Sequence, residues 1–355
     1  MLWVDELEAA AEELLEPTVM DYFRGGADEE LTLASNRAGW QRLRLRPHVL
    51  RDVSAVDTAT TVLGTPVRTP VLVAPTAYHL LAGPQGEAGT ARGTAQAGTI
   101  MVLATLATQT LEDVAEAAPE APRWFQVYVH RDRAWTAELA QRAKAAGYRA
   151  LVLTVDVPVL GFRRRDEVSG FGLPPHIEVA HRSDSAGLSQ AGAQAGSALA
   201  AYGNASFDPA LVPADIAWLR DAGGLPVVVK GVLRGDDATA CVDAGAVGVV
   251  VSNHGGRQLD TAVATADALP EVAAAVGDRA EVYVDGGIRT GTDVVKALAL
   301  GARAVLVGRP VVYGLAVNGS DGVAMVLATL GGELRRAMAL CGAVRLDELT
   351  RDLVA

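Results

Sequence analysis

Residues 282–310 read VYVDGGIRTGTDVVKALALGARAVLVGRP, and this stretch decides the fold. A short apolar run, 282–285, is followed by Gly286-Gly287-Ile288-Arg289. An Ala-rich helical segment, 290–300, then closes on Gly301 and leads to a second apolar run, 304–308, ending Gly308-Arg309-Pro310. Neither run alternates between apolar and polar residues. Parallel strands covered on both faces lack that alternation, so the stretch reads as a strand–helix–strand unit.

Working outward, the unit recurs. Apolar runs at 71–74, 100–104, 124–128, 150–155, 227–230 and 247–252 bring the candidate strands to eight. Helical stretches at 134–146, 214–222 and 236–244 lie between them and close on Gly147, Gly223 and Gly245. Eight alternating strands and helices predict an α/β protein with a (β/α)8 TIM barrel. An open doubly wound sheet is the competing architecture, but no GxGxxG follows an early strand. The whole chain reads as one domain. Residues 1–70 form a helical arm and a hairpin, pairing 42–45 with 61–63 at the barrel's lower end. Residues 71–310 form the barrel and 311–355 the C-terminal helices. The connection from Asp156 to Pro226 is far longer than the others, and its middle, 183–204, is rich in Ser, Ala, Gly and Gln. Leaving a strand's C-terminal end, it is expected to be a lid (about 161–212) over the mouth.

Composition narrows the function classes. Half of the 355 residues are hydrophobic, 21% are charged, and the formal net charge is −11. An acidic chain offers no general attraction to nucleic acid or anionic lipid. Cys241 and Cys341 are the two cysteines, which excludes a disulfide scaffold and a thiolate metal site. No signal-peptide pattern opens the chain, and no run reaches the ~20 apolar residues of a membrane span. A cytoplasmic protein without a metal is the expectation.

In such a barrel, chemistry sits where strands end. The exits carry Pro75-Thr76-Ala77, Thr105, Gln126 with Tyr128, Thr154 with Asp156, Lys230, Ser252-Asn253-His254, Asp285-Gly286-Gly287 and Gly308-Arg309. One such group is an ordinary cap; a ring of them is a site. The glycine turns at 285–289 and 308–309 open helices, where backbone N–H groups and Arg289 or Arg309 suit a phosphate. His254 and Arg257, three residues apart around two glycines, pair a proton acceptor with a carboxylate clamp. Lys230 reads equally as an imine-forming amine, a fixed charge beside an anionic ring, or a solvated rim residue.

With these motifs in place the chain resembles the FMN-dependent α-hydroxy-acid oxidase and dehydrogenase family, which oxidises glycolate, lactate and mandelate. The resemblance runs from Asp21-Tyr22-Phe23 and Arg46-Pro47 through LTVDVP (153–158), SNHGGRQLD (252–260) and DGGIRTGTDVVKALALGA (285–302) to Gly308-Arg309-Pro310. It implies that His254 is the active-site base, held by Asp156. It implies that Arg257 clamps the substrate carboxylate with Tyr22, that Tyr128 bonds the reacting hydroxyl, and that Arg163 is a second carboxylate contact. Pro75, Thr76, Ala77, Gln126, Thr154 and Ser252 are then expected along FMN. Lys230 is expected at its pyrimidine edge, which retires the imine reading. Asp285, Gly286, Gly287, Arg289, Gly308 and Arg309 are expected at its ribityl phosphate. The resemblance further implies a homotetramer or octamer. Two departures from glycolate-oxidase-like sequences stand out: Ala104 where they carry Ser, and Leu106 where they carry Trp. A wider pocket follows, with Tyr78 and Leu80 shaping the same region. The expected reaction is oxidation of a large or aromatic, mandelate-like (S)-2-hydroxy acid, with dioxygen reduced to hydrogen peroxide. The alternatives are a dehydrogenase passing electrons to a quinone or carrier protein, and a flavin-free phosphosugar lyase or isomerase.

Overall fold

The computed structural model describes residues 3–181, 203 and 205–355. Its centre is a closed barrel of eight parallel strands. They are β3 (Val71–Val73), β4 (Met101–Leu103), β5 (Arg123–Val127), β6 (Leu151–Thr154), β7 (Val227–Val232), β8 (Gly248–Val251), β9 (Glu281–Val284) and β10 (Ala304–Val307), with β10 closing onto β3. The continuous apolar runs have a plain cause. Along each strand one residue points to the helical shell and the next into the barrel, and both destinations are apolar. Leu72, Val102, Trp124, Val152, Val228, Val250, Tyr283 and Leu306 share the interior cluster, while Val71, Leu103, Phe125, Leu153, Val229, Val251, Val284 and Val307 belong to the outer one.

Parity then dictates the next interior layer. Two residues further along each strand stand Ala74, Ala104, Gln126, Thr154, Lys230, Ser252, Asp285 and Gly308. The apolar core therefore gives way to polar groups at the strands' C-terminal ends.

The lower end is plugged by a hairpin of β1 (Thr60–Val62) and β2 (Thr65–Val67), whose Val62 and Val67 join the interior cluster. This corrects the pairing expected from the sequence. Leu63 (φ 43°) and Gly64 (φ 72°) make a two-residue turn, so Thr60–Val62 pairs with the residues that immediately follow. Leu45 instead bridges Val354, near the C-terminus. The left-handed cap of the helix Ala214–Gly223 falls at Gly224, not Gly223, which packs tightly on Ala140 and Leu151.

A third correction concerns the helix Arg309–Cys341, which is long and apolar enough to cross a bilayer by length and composition. Its helical dihedrals break at Asn318 and Gly319, and half of its most apolar window is buried within the protein. Of the expected lid, residues 182–202 and 204 lie outside the described residues. The segments flanking them bring Leu160, Arg163 and Phe207 to the barrel mouth.

Candidate active site

A cavity of about 1120 Å³, counting space open to solvent, occupies the C-terminal mouth of the barrel. Tyr22, Pro75, Thr76, Ala77, Leu106, Gln126, Tyr128, Thr154, Arg163, Lys230, His254, Arg257, Asp285, Gly286, Gly287, Arg289, Gly308 and Arg309 line it. Asp156 and Ser252 stand just behind this lining. Tyr78 and Leu80, expected to shape the pocket, are not among the lining residues; Tyr78 is buried beside the Tyr22 ring.

His254 occupies a left-handed turn (φ 59°) directly after β8. Its Nδ1 lies 2.9 Å from Asp156 Oδ1, and its Nε2 lies 3.4 Å from the Tyr128 hydroxyl. An ionised carboxylate only accepts, so Nδ1 carries the proton and Nε2 presents its lone pair toward the cavity. Burial drives the His254 pKa below its ordinary value against the upward pull of Asp156. Burial opposes the Asp156 charge in turn, yet His254 and Lys230 hold that carboxyl below the usual range. The resting pair is a neutral imidazole on a carboxylate, ready to accept one proton.

Room for Asp156 comes from β7, where a bulge shifts the register between Lys230 and Val232. Gly231 (φ 112°) sits at that shift, and a Cβ there would approach the Asp156 Cβ and Cγ to 2.6 Å. Tyr128 is fixed by a stacked contact with Phe207, ring centroids 4.5 Å apart, and burial raises its hydroxyl pKa.

Arg257 donates from Nη1 to the carbonyls of Tyr22 and Gly25, both at 2.7 Å, and lies 4.9 Å from the Tyr22 ring centre. Those two bonds use two of its five N–H groups. Arg309 donates to the carbonyls of Phe23, Gly255 and Gly25. The two guanidiniums therefore hold the C-terminal end of the arm helix Pro17–Arg24, where carbonyls lack helical partners. Burial, and then Arg163, pushes the Arg257 pKa down to about 9; burial, and then Arg309, pushes that of Arg289 down to about 10. So much clustered positive charge in a chain of net charge −11 calls for anions at this mouth.

Two features locate those anions. Among the described residues, the buried Arg289 Nε, a donor, has no hydrogen-bond partner at the end walled by Gly286 and Gly287; Asp285 Oδ1, also unpartnered there, only accepts and suits a hydroxyl instead. A Cβ on Gly287 would collide with the Asn36 carbonyl, so the backbone there stays bare. At the opposite end the buried Arg163 Nε is likewise unpartnered, near Arg257 and Tyr22. Between them Gln126 Nε2 donates to Thr154 Oγ1, and Lys230 Nζ bonds Ser252 Oγ at 2.9 Å and meets Asp285 Oδ2 at 3.2 Å. Burial works against the Lys230 charge, but Asp285 and Asp156 raise its pKa overall. A lysine held cationic makes a poor imine-forming amine and a good charge beside an anionic ring. This donor set fits FMN: Arg289 would take its phosphate, and Gln126, Thr154 and Lys230 would take the flavin's polar edge. A small carboxylate fits at Arg257 and Arg163.

Sequence reading missed Leu160, Phe207, Ile288 and Val312 in the lining. Leu160 and Phe207 belong to the long connection, which shows no periodicity to place them. Ile288 carries no signal of its own inside the glycine turn.

The comparisons agree with this geometry. The profile of FMN-dependent dehydrogenase matches residues 11–355. The chain is 50% identical to an L-lactate oxidase of Nostoc sp., over 97% of this chain and 95% of the relative. It is 45% identical to human 2-hydroxyacid oxidase 1, over 100% and 96%. The crystal structure of a mandelate oxidase with (S)-4-hydroxymandelic acid superposes with a TM-score of 0.95 at 41% identity, covering 100% of this chain and 98% of that one. A flavin-free lyase or isomerase is thereby set aside. The chain belongs to the FMN-dependent dehydrogenase family and is an FMN enzyme of its 2-hydroxy-acid oxidase group.

Proposed function

We propose that this enzyme oxidises (S)-2-hydroxy acids with large or aromatic side chains to the 2-oxo acids, with dioxygen as acceptor and hydrogen peroxide as second product. One observation carries the side-chain preference: Leu106, Leu160 and Phe207 give the cavity that holds His254 and Tyr128 an apolar lining, with a leucine at position 106. Such a wall has apolar surface to offer a phenyl ring and none to spare for a glycolate. The likeness to mandelate oxidase structures supports the same reading.

Each residue has a physical task. Arg257 and Arg163 hold the carboxylate, fixing the 2-carbon in front of His254. Tyr128 bonds the substrate hydroxyl, and His254 Nε2 takes a proton from the substrate. Asp156 stabilises the imidazolium this creates. Bound FMN supplies the two-electron acceptor and, in an oxidase, the route by which electrons reach dioxygen. Phe207 and Leu160 keep water from the reacting carbon.

Aerobic and anaerobic turnover of glycolate, lactate, longer aliphatic acids and both mandelate enantiomers tests the proposal. The expected result is the highest kcat/KM for (S)-mandelate, with one peroxide per 2-oxo acid under air. A higher kcat/KM for glycolate refutes the side-chain preference. Turnover that needs an added quinone or carrier, without peroxide, refutes the acceptor.

A further inference from the structure

The cavity wall that carries Leu106 is a loop, residues 104–110, with no regular structure of its own. Leu106 and Ala107 pack into the core and Thr108 bonds Glu87, and the backbone groups of residues 105–107 supply the remaining anchors. Three consecutive carbonyls are taken by three different donors. Thr105 O lies 3.0 Å from His181 Nδ1, Leu106 O accepts from the Tyr78 N–H at 3.2 Å, and Ala107 O accepts from the Ala180 N–H at 2.9 Å. His181 Nε2 also accepts the Leu111 N–H at 2.9 Å, at the start of the helix Leu111–Ala117. A carbonyl only accepts and an N–H only donates, so this imidazole is neutral, protonated on Nδ1, with both nitrogens committed. It is fully buried, with the Phe125 ring edge-on at 5.4 Å.

On its other side Thr105 is bonded to two residues of the site. Its N–H donates to Gln126 Oε1 at 3.0 Å, its hydroxyl donates to the Gln126 carbonyl at 2.6 Å, and that hydroxyl accepts the Tyr128 N–H at 3.2 Å. Leu106 thus sits one residue from the His181 bond and one residue from the Ala180 bond.

We propose that His181 is a positioning residue of the acid site: its two hydrogen bonds staple the Leu106 loop to the connection that follows β6, and so set how the enzyme discriminates among 2-hydroxy acids by side chain. It touches neither substrate nor flavin. The proposal rests on the functional reading above, and Leu106 is the residue through which it acts.

The test compares His181→Phe and His181→Asn as purified FMN-loaded enzymes. Phenylalanine keeps the ring's volume and its contact with Phe125 but deletes both hydrogen bonds. Asparagine places an amide N–H where Nδ1 stands and restores the bond to the Thr105 carbonyl. The readouts are kcat/KM for (S)-mandelate and glycolate, flavin content, and hydrogen exchange at the Leu111 amide. We expect His181→Phe to change the mandelate-to-glycolate ratio at least fivefold, mainly through KM, with flavin content unchanged. His181→Asn is expected to return the ratio to within twofold of wild type. A His181→Phe ratio within twofold of wild type, or an asparagine variant that behaves like phenylalanine, overturns the proposal. If His181→Phe does not fold, His181→Gln, which reaches the Leu111 N–H but not the Thr105 carbonyl, takes its place with the same expected shift. Wild-type enzyme that oxidises none of these acids defeats the functional reading instead. The staple itself is then read from Leu111 exchange, faster in His181→Phe if the bond exists and unchanged if it does not.

Discussion

Replacing Asp156 by asparagine isolates the charge behind His254. The Nδ1 to Oδ1 distance is 2.9 Å, and both side chains are largely shielded from water. With the charge centres of imidazolium and carboxylate ~4 Å apart and an effective dielectric of about 20, their attraction is worth ~4 kcal/mol. That attraction exists only once the imidazole has taken its proton, so it lowers the barrier rather than tightening substrate binding. At about 1.4 kcal/mol per factor of ten, kcat should fall by ~10³. An asparagine that turned its amide nitrogen toward the ring would impose the other tautomer and deepen the loss. The assay is anaerobic stopped-flow bleaching of the flavin at saturating (S)-2-hydroxy acid, with flavin content checked by absorbance. A loss below tenfold, with flavin fully bound, would refute the role assigned to Asp156. The pH profile gives a second check. His254 works as the neutral base, so activity rises as pH climbs through its pKa, which burial already holds low. Without Asp156 burial is unopposed, the pKa falls further, and the acidic limb of kcat moves to lower pH. An alkaline displacement contradicts the argument.

Leu106→Trp should narrow the wall, lowering kcat/KM for (S)-mandelate at least tenfold and that for glycolate by less than threefold; equal losses for the two acids would point to a folding defect. Gly231→Ala puts a methyl 2.6 Å from Asp156 at a φ of 112°. Overpacking of that kind costs about 1–3 kcal/mol, so Tm should drop and kcat should fall with it. An unchanged Tm would mean that β7 relaxes freely at its bulge. Asn36 and Asn253 exchange two hydrogen bonds at 2.8 Å, both side chains buried, joining the arm to the His254 turn. Asn36→Ala removes both bonds and takes the acceptor from the buried Thr265 N–H, while Asn253 keeps Val263 O and the Gly256 N–H; the cost of about 1–3 kcal/mol is measurable as a lowered urea midpoint.

The site is more legible in the sequence than the contacts that brace it. Eight buried strands leave eight unbroken apolar runs, and a two-residue period places one residue from each exit into the mouth. Gln126, Thr154, Lys230 and Asp285 could therefore be located without coordinates. The His254 turn and the glycines at 286–287 announce themselves through composition. What stayed hidden depends on partners far away in the chain. Arg257 and Arg309 bind carbonyls of residues 22–25, more than two hundred positions upstream, and no local pattern encodes that pairing. Phe207 and Leu160 lie in a connection without periodicity. The hairpin partner is not legible because the turn at Leu63-Gly64 depends on backbone dihedrals that a leucine does not advertise.

The mouth divides its labour around the ring. The apolar lining residues Leu106, Leu160 and Phe207 hang on the connections after β4 and β6, whereas Arg289 and Arg309 hang on those after β9 and β10. The two share no loop. A substitution at Leu106, Leu160 or Phe207 therefore leaves the turns that carry Arg289 and Arg309 as they are.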